Sequence, residues 1–303
     1  MVILWKGVNK VKQQKSAGEK VFSALNYIIL TFIAVCTFYP CWYVLMASVS
    51  NPNLIYESGG LLLWPKEFGL YSYSEVLNYA RIWVGYRNTI FYVISGTLLS
   101  LALTISAAFT LTRRELPGKS IFFSIIIFTM YFSGGLIPTY IVVKNLGLVD
   151  TPFAMILPGA VSTYNLIITM TYFRSLPYEL EEAAKIDGAS DYTVFLKIML
   201  PLATPIIAVI ALYYGVAIWN NYFTGLIYLN NPDLHPLQLV LREILMQGQM
   251  AELSGNGNAA ENMMHAENVK YAIIVVSTVP ILCFYPFIQK YFTKGIMIGA
   301  IKG

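Results

Sequence analysis

Six apolar runs, each long enough to cross a bilayer and each free of Asp, Glu, Lys, Arg and His, constrain this chain more than any other feature. They fall at residues 21–48, 88–111, 120–143, 152–173, 202–229 and 271–289. A helical crossing needs about 20 mainly apolar residues, because each adds about 1.5 Å and the hydrocarbon is about 30 Å thick. The first and fifth runs exceed that length and must tilt or kink. Pro40, Pro138, Pro205, Pro280 and Pro286 interrupt the runs, which is tolerated where neighbouring helices cover the freed backbone. Only 12% of the 303 residues are charged and 57% are apolar. A soluble domain carries about twice that charge density. The expected fold class is an all-α membrane protein with six transmembrane helices.

The first run is too long for the apolar core of a signal peptide, and no small-x-small cleavage site follows it, so it reads as a retained anchor. Lys and Arg fix the orientation. Fourteen fall on one side: Lys6, Lys10, Lys12, Lys15 and Lys20, then Arg113, Arg114 and Lys119, then Arg174, Lys185 and Lys197, and finally Lys290, Lys294 and Lys302. Six fall on the other: Lys66, Arg81, Arg87, Lys144, Arg242 and Lys270. The positive-inside rule therefore puts both termini in the cytoplasm. This divides the chain into a cytoplasmic segment 1–20, a six-helix unit 21–293 with a large inner loop at 174–201, and a cytoplasmic tail 294–303. Two outer segments are substantial, at 51–87 and 233–269. In the first, Leu61, Leu62, Leu63, Trp64 and Pro65 predict a short element lying on the membrane. In the second, residues 254–260 predict a flexible loop tip.

The absence of ionisable groups from all six runs argues against proton- or ion-coupled transport, which places titratable or anionic groups within the bundle. There is no Arg ladder for voltage sensing. An uncharged pathway suits a neutral polar solute, and its driving energy must enter from elsewhere. Cys36, Cys41 and Cys283 lack the spacing of a metal site or a disulfide framework. His235 and His265 have no ligand cluster beside them, so no metal is expected. Gly118, Lys119 and Ser120 resemble the tail of a phosphate-binding loop, but that pattern needs glycine where Arg113 stands. No basic patch interleaved with aromatics suggests nucleic acid as a partner.

The inner loop 174–201 reads as two short helices around one break. Ser175 is expected to cap the first, with Pro177 in its opening turn. Glu179, Glu181 and Glu182 suit the positive end of the helix dipole. Gly188 is placed to end that helix in the left-handed conformation. A second helix runs from about Ser190 to the Leu200–Pro201 boundary. The first helix is too short to be stable alone in water. Leu180, Ala183, Ala184 and Asp187 share a shallow face by their i, i+3, i+4 spacing. That face fits docking of a partner protein, and it equally fits packing on the chain's own bundle or on the membrane surface.

Glu182-Ala183-Ala184, three residues, Gly188, nine residues, Ile198, one residue and then Leu200-Pro201 matches the EAA signature of binding-protein-dependent ABC import permeases without departure. The chain resembles the maltose-type carbohydrate branch of that family over all six runs. Its tail, Lys294 to Gly303, is similar to those of permeases for oligosaccharide or polysaccharide-fragment uptake. The resemblance implies the type I importer permease fold and a bacterial plasma-membrane location. It implies that residues 178–187, including Tyr178, Glu179, Glu182 and Asp187, form a coupling helix held in a cleft of a cytoplasmic ATPase subunit. Glu182 would contact a basic residue there, and the 294–303 tail would lie near the ATPase interface. It further implies a second homologous permease, two ATPase subunits that bind ATP and Mg, and an extracytoplasmic sugar-binding lipoprotein. This chain itself would hold no cofactor and catalyse nothing. An ABC permease for a peptide or a phosphonate remains the alternative at this point.

Carbohydrate pathways combine aromatic faces with amide and hydroxyl groups. The fifth run carries Tyr213, Tyr214, Trp219, Asn220, Asn221 and Tyr222, the densest such cluster at membrane depth. Buried asparagine is costly in hydrocarbon without partners, so Asn220 and Asn221 must face protein or a wet cavity. Tyr164 and Asn165 in the fourth run, and Tyr131 before the Gly134–Gly135 break in the third, offer further candidates. Small polar groups also join helices to one another in membranes, which is the competing role for each.

Overall fold

The computed structural model describes residues 16–51, 54–55, 60–253 and 269–283, and these are helical nearly throughout. The first helix, α1 (Ala17–Ser48), starts where Ser16 and Glu19 cap each other: Glu19 N donates to Ser16 Oγ and Ser16 N to the Glu19 carboxylate. Its apolar side chains stay uncovered, with Phe22 71% and Phe32 68% exposed. Such a surface needs lipid or another subunit against it.

After α2 (Tyr71–Asn78) comes α3 (Ala80–Thr112), the mast of the fold. Its buried stripe recurs every three to four residues and includes Gly85, Asn88, Thr89, Tyr92, Gly96, Ser100, Thr104 and Ala108. Small residues let neighbouring backbones approach closely. A Cβ on Gly85 would lie 3.0 Å from the Leu237 Cα.

The third run is two helices, α4 (Lys119–Tyr131) and α5 (Leu136–Asn145), bent by 118°. Gly135 occupies the break at φ +89°, a backbone region open chiefly to glycine. The fourth run resolves into a four-residue turn, α6 (Phe153–Ile156), and α7 (Thr163–Ser175), which Ser162 caps. Next come α8 (Glu179–Ile186) and α9 (Asp191–Leu202), followed by α10 (Thr204–Trp219) at 78° to α9. Asn221 ends the fifth run as a single rod: its Oδ1 accepts from Thr224 N at 3.1 Å and starts α11 (Phe223–Tyr228). The last described helices are α12 (Leu237–Leu253) and α13 (Val269–Cys283).

Two helices are therefore long and apolar enough to cross a bilayer alone, and the two bent pairs qualify if each makes one crossing. Hydropathy marks the runs but is blind to these breaks. Pro138 and Pro205 stand in the first turns of α5 and α10, where a backbone N–H has no intrahelical acceptor to lose. Pro40 lies inside α1 and Pro280 inside α13.

The element expected at 61–65 is not a helix. Tyr39 Oη donates to Gly60 O and Trp42 Nε1 to Leu63 O, both at 3.0 Å, which ties this extended strap to α1. The 254–260 loop tip, the 294–303 tail and residues 1–15 lie outside the described residues.

Packing divides into two main cores along α3. One gathers Ile105, Ala108, Leu166, Met170, Val194, Met199 and Ile210. The other gathers Val76, Ile82, Trp219, Leu237, Val240 and Ile273. Polar latches connect them to α3. Asn88 Nδ2 donates to Asp233 O and His235 O, Tyr92 Oη donates to Leu234 O, and Thr89 Oγ1 accepts from Leu237 N. Each latch satisfies backbone groups of the 232–237 segment that would otherwise be buried unpaired.

Candidate functional site

The loop singled out by its spacing folds as a helix, a left-handed turn and a second helix. Eight residues in α8 span about 12 Å. Glu179, Glu181 and Glu182 occupy its first turn and Lys185 its last, the charge order that complements the helix dipole. Gly188 ends it at φ +82°. There Gly188 N donates to Lys185 O at 3.0 Å and Ala189 N to Ala184 O at 2.9 Å, which closes orphan carbonyls of the last turn.

The start of α8 differs from expectation. Tyr178 is the N-cap and makes no side-chain capping bond. The Ser175 hydroxyl instead donates to Tyr172 O at the end of α7, and Pro177 lies just outside the helix. Beyond the turn, Ser190 Oγ caps α9 by accepting from Thr193 N. The α9 helix continues past the expected boundary through Pro201 to Leu202. It accommodates the proline by widening at Val194–Met199, where Leu200 N reaches back five residues to Phe195 O. Ile198, Leu200 and Pro201 thus belong to the arm that leads into α10.

The two sides of α8 are unlike. Glu182, Ala183, Asp187 and Gly188 are exposed, as is Ile186 at 81%. Glu181 is buried, and Ala184 is half-buried against the core that contains Met170 and Val194. Of the shallow face expected from spacing, Leu180, Ala183 and Asp187 point outward while Ala184 turns in.

Behind this face lies a network that sequence spacing does not single out. Arg113, at the end of α3, forms an ion pair with Glu181, and its guanidinium lies 3.8 Å from the Phe109 ring centroid. Both side chains are mostly buried, at 14% and 10% exposure. Burial pulls the Arg113 pKa below its ordinary value, opposed by Asp191, Glu115 and Tyr178. Lys185 reaches three carboxylates: Glu115 at 3.2 Å, Glu181 at 3.4 Å and Asp191 at 3.5 Å. Its hydrogen bond to Glu115, with help from Asp191, raises its pKa. Arg114 stacks 4.2 Å from the Tyr178 ring centroid. The four-residue spacing of Glu181 and Lys185 was a readable signal; the partners in the 113–115 loop left none.

The candidate pathway residues fall into two sets. Tyr214 is buried, its hydroxyl shared with Thr104 at 2.7 Å while it accepts from Ser162 N at 2.9 Å. Trp219 is buried and donates to Ser277 O at 3.1 Å, Asn221, just before α11, accepts from Thr224 N within it, and Asn165 is buried in α7. Tyr131 is 83% exposed, and Tyr164, Tyr213, Asn220 and Tyr222 are exposed as well. Asn220 sits at the end of α10, where its Nδ2 donates to Val216 O. No cluster of three metal-ligating side chains occurs among the described residues.

Residues 82–298 match the family model described as binding-protein-dependent transport system inner membrane component. Protein LplC of Bacillus subtilis is 40% identical over 285 residues, covering 94% of this chain and 96% of that one. The polygalacturonan/rhamnogalacturonan transport system permease protein YtcP of the same organism is 39% identical, covering 94% and 99%. A crystal structure of a bacterial ABC transporter involved in the import of the acidic polysaccharide alginate superposes with a TM-score of 0.82. Its matched chain is 33% identical, and the match covers 92% of this chain and 99% of that one. The helical architecture is that of a type I ABC importer permease, and the chain belongs to the family of binding-protein-dependent transport system inner membrane components.

Proposed function

We propose that this chain is one membrane-spanning subunit of an ATP-driven importer that carries an oligosaccharide across a bacterial plasma membrane. The observation that carries this reading is the asymmetry of α8. Its exposed side presents Glu182, Ala183, Ile186 and Asp187 with no cover, while its other side is braced by the Arg113–Glu181 pair. A short helix with an exposed isoleucine and a rigid backing suits being gripped by a second protein. The relatives' names favour a carbohydrate cargo over a peptide or phosphonate.

In this reading, the six apolar runs make six crossings, with bent pairs serving as the third and fifth. Both termini and the 174–201 loop face the cytoplasm, an orientation that the Lys/Arg asymmetry supports. Two separate ATPase subunits bind ATP and Mg and pull on α8. The pull passes through Arg113 into α3 and through α9 into α10, so the helices that flank the pathway move together. A second permease completes the pore, and an extracytoplasmic binding protein delivers the sugar to the outer loops. Tyr131, Tyr164, Tyr213, Asn220 and Tyr222 are the pathway residues with surface available for solute. Tyr214, Trp219, Asn221 and Asn165 shape the wall behind them.

The test is the Glu182→Lys variant in the complete complex. It should insert and assemble normally but lose uptake and receptor-stimulated ATP hydrolysis together. Wild-type uptake would contradict the docking role of α8.

A further inference from the structure

The sequence predicts a pathway without charge, yet the fold brings a cation to its edge. Arg242, half-buried on α12, lies with its guanidinium carbon 5.5 Å from the ring centroid of Tyr222, which is 40% exposed at the break between α10 and α11. Arg242 makes no ion pair among the described residues. The adjacent Glu243 is not available to it: one carboxylate oxygen meets Arg81 at 3.1 Å and the other meets His235 at 2.9 Å. A guanidinium partly withdrawn from water without a counter-ion is unfavourable, and an arriving anion relieves it. Exposed Asn220 stands two positions before Tyr222.

We propose that Arg242 and Tyr222, with Asn220 near them, form a binding point for an acidic sugar, a uronate. The open side of the Tyr222 ring meets the sugar face, the Asn220 amide serves a ring hydroxyl, and the guanidinium fork takes the carboxylate. Arg suits this task better than Lys, since its planar donors match both carboxylate oxygens and it stacks on aromatic faces. A neutral sugar supplies no anionic group for the guanidinium. The inference rests on the carbohydrate reading above and narrows it to oligosaccharides that carry uronic acid units.

The experiment uses the complete importer with its receptor in proteoliposomes, with trigalacturonate and its carboxyl-reduced counterpart as probes. The wild type should import trigalacturonate. Arg242→Gln should raise its KM at least about tenfold, the scale of one lost charge-assisted hydrogen-bonding group. Arg242→Lys should fall between. A second measurement needs no variant: phenylglyoxal modifies exposed arginines, and trigalacturonate with a non-hydrolysable ATP analogue should protect Arg242 while the reduced sugar does not. Unchanged KM in Arg242→Gln, or unprotected Arg242 in the wild type, would overturn the site. Import of the reduced sugar alone would also overturn the site and leave the carbohydrate reading standing. Import of neither sugar would overturn the site and leave the carbohydrate reading to the Glu182→Lys test.

Discussion

Arg113 at the end of α3 and Glu181 on the inner side of α8 form a buried ion pair, one residue away from the Glu182 that the family signature specifies. The pair joins α8 to the central mast directly. A force applied to the outer face of α8 therefore reaches α3 through side chains as well as along the backbone.

Removing Arg113 leaves Glu181 buried with Lys185 as its remaining cation, at 3.4 Å, so the cost stays within the about 3–5 kcal/mol of a fully broken buried pair. Arg113→Ala should therefore lower the thermal stability of the purified complex strongly. The double variant Arg113→Met with Glu181→Leu should recover much of it, because neither charge remains stranded. Its uptake should stay impaired, since the brace is gone. A double variant as unstable as the single would show that this pair is not a closed unit.

Gly188 separates backbone conformation from space. A Cβ there would meet nothing within 4 Å, so only the φ of +82° resists substitution. Gly188→Ala should destabilise the turn by about 1–2 kcal/mol, and Gly188→Asn by less, because asparagine tolerates this region. Gly188→Pro cannot adopt it and should abolish uptake while membrane insertion persists. Uptake assays ranked Asn, Ala, Pro test the order, and equal activity in all three would refute it.

What the sequence made legible was local. The apolar runs, the left-handed glycine, the helix start near Ser190 and the third-run break near Gly135 each follow from residues within a few positions. The Arg113–Glu181 and Arg242–Tyr222 relationships join residues from different elements, and no short-range pattern encodes them. Spacing directed attention to Glu182, and the buried neighbour Glu181 became visible only once α8 was set against α3. Hydropathy likewise joined α10 and α11, because Asn220 and Asn221 are too few to interrupt an apolar window although Asn221 starts a new helix.

Among the pathway candidates, Trp219 and Asn220 should now behave differently. Trp219 is buried and hydrogen-bonded to Ser277 O, so Trp219→Ala should cost about 3–5 kcal/mol in stability and reduce the amount of assembled complex. Exposed Asn220→Ala should leave assembly intact and change only the KM for sugar. Quantifying assembled complex alongside uptake distinguishes them, and the assignment fails if Trp219→Ala assembles at wild-type levels.

The Lys185 network has a defined pH signature. Glu115 and Asp191 raise the folded-state pKa of Lys185 above its ordinary 10.5. A raised pKa contributes stability that is fully present below the unfolded value and is lost as pH rises through the folded one. Complex stability should therefore show no Lys185-dependent change through neutral pH. In a comparison of wild type with Lys185→Met, the difference should shrink only on the alkaline side of 10.5. A difference that vanished near neutrality would place the Lys185 pKa below its ordinary value.

In the proposed function, energy enters through α8 from separate nucleotide-hydrolysing subunits. Oligosaccharide accumulation in proteoliposomes, with and without ATP and with imposed ion gradients, measures this most directly. Accumulation should require ATP and the ATPase subunits, and should vanish in Glu182→Lys. Accumulation by the permease pair alone, driven by an ion gradient, would contradict it.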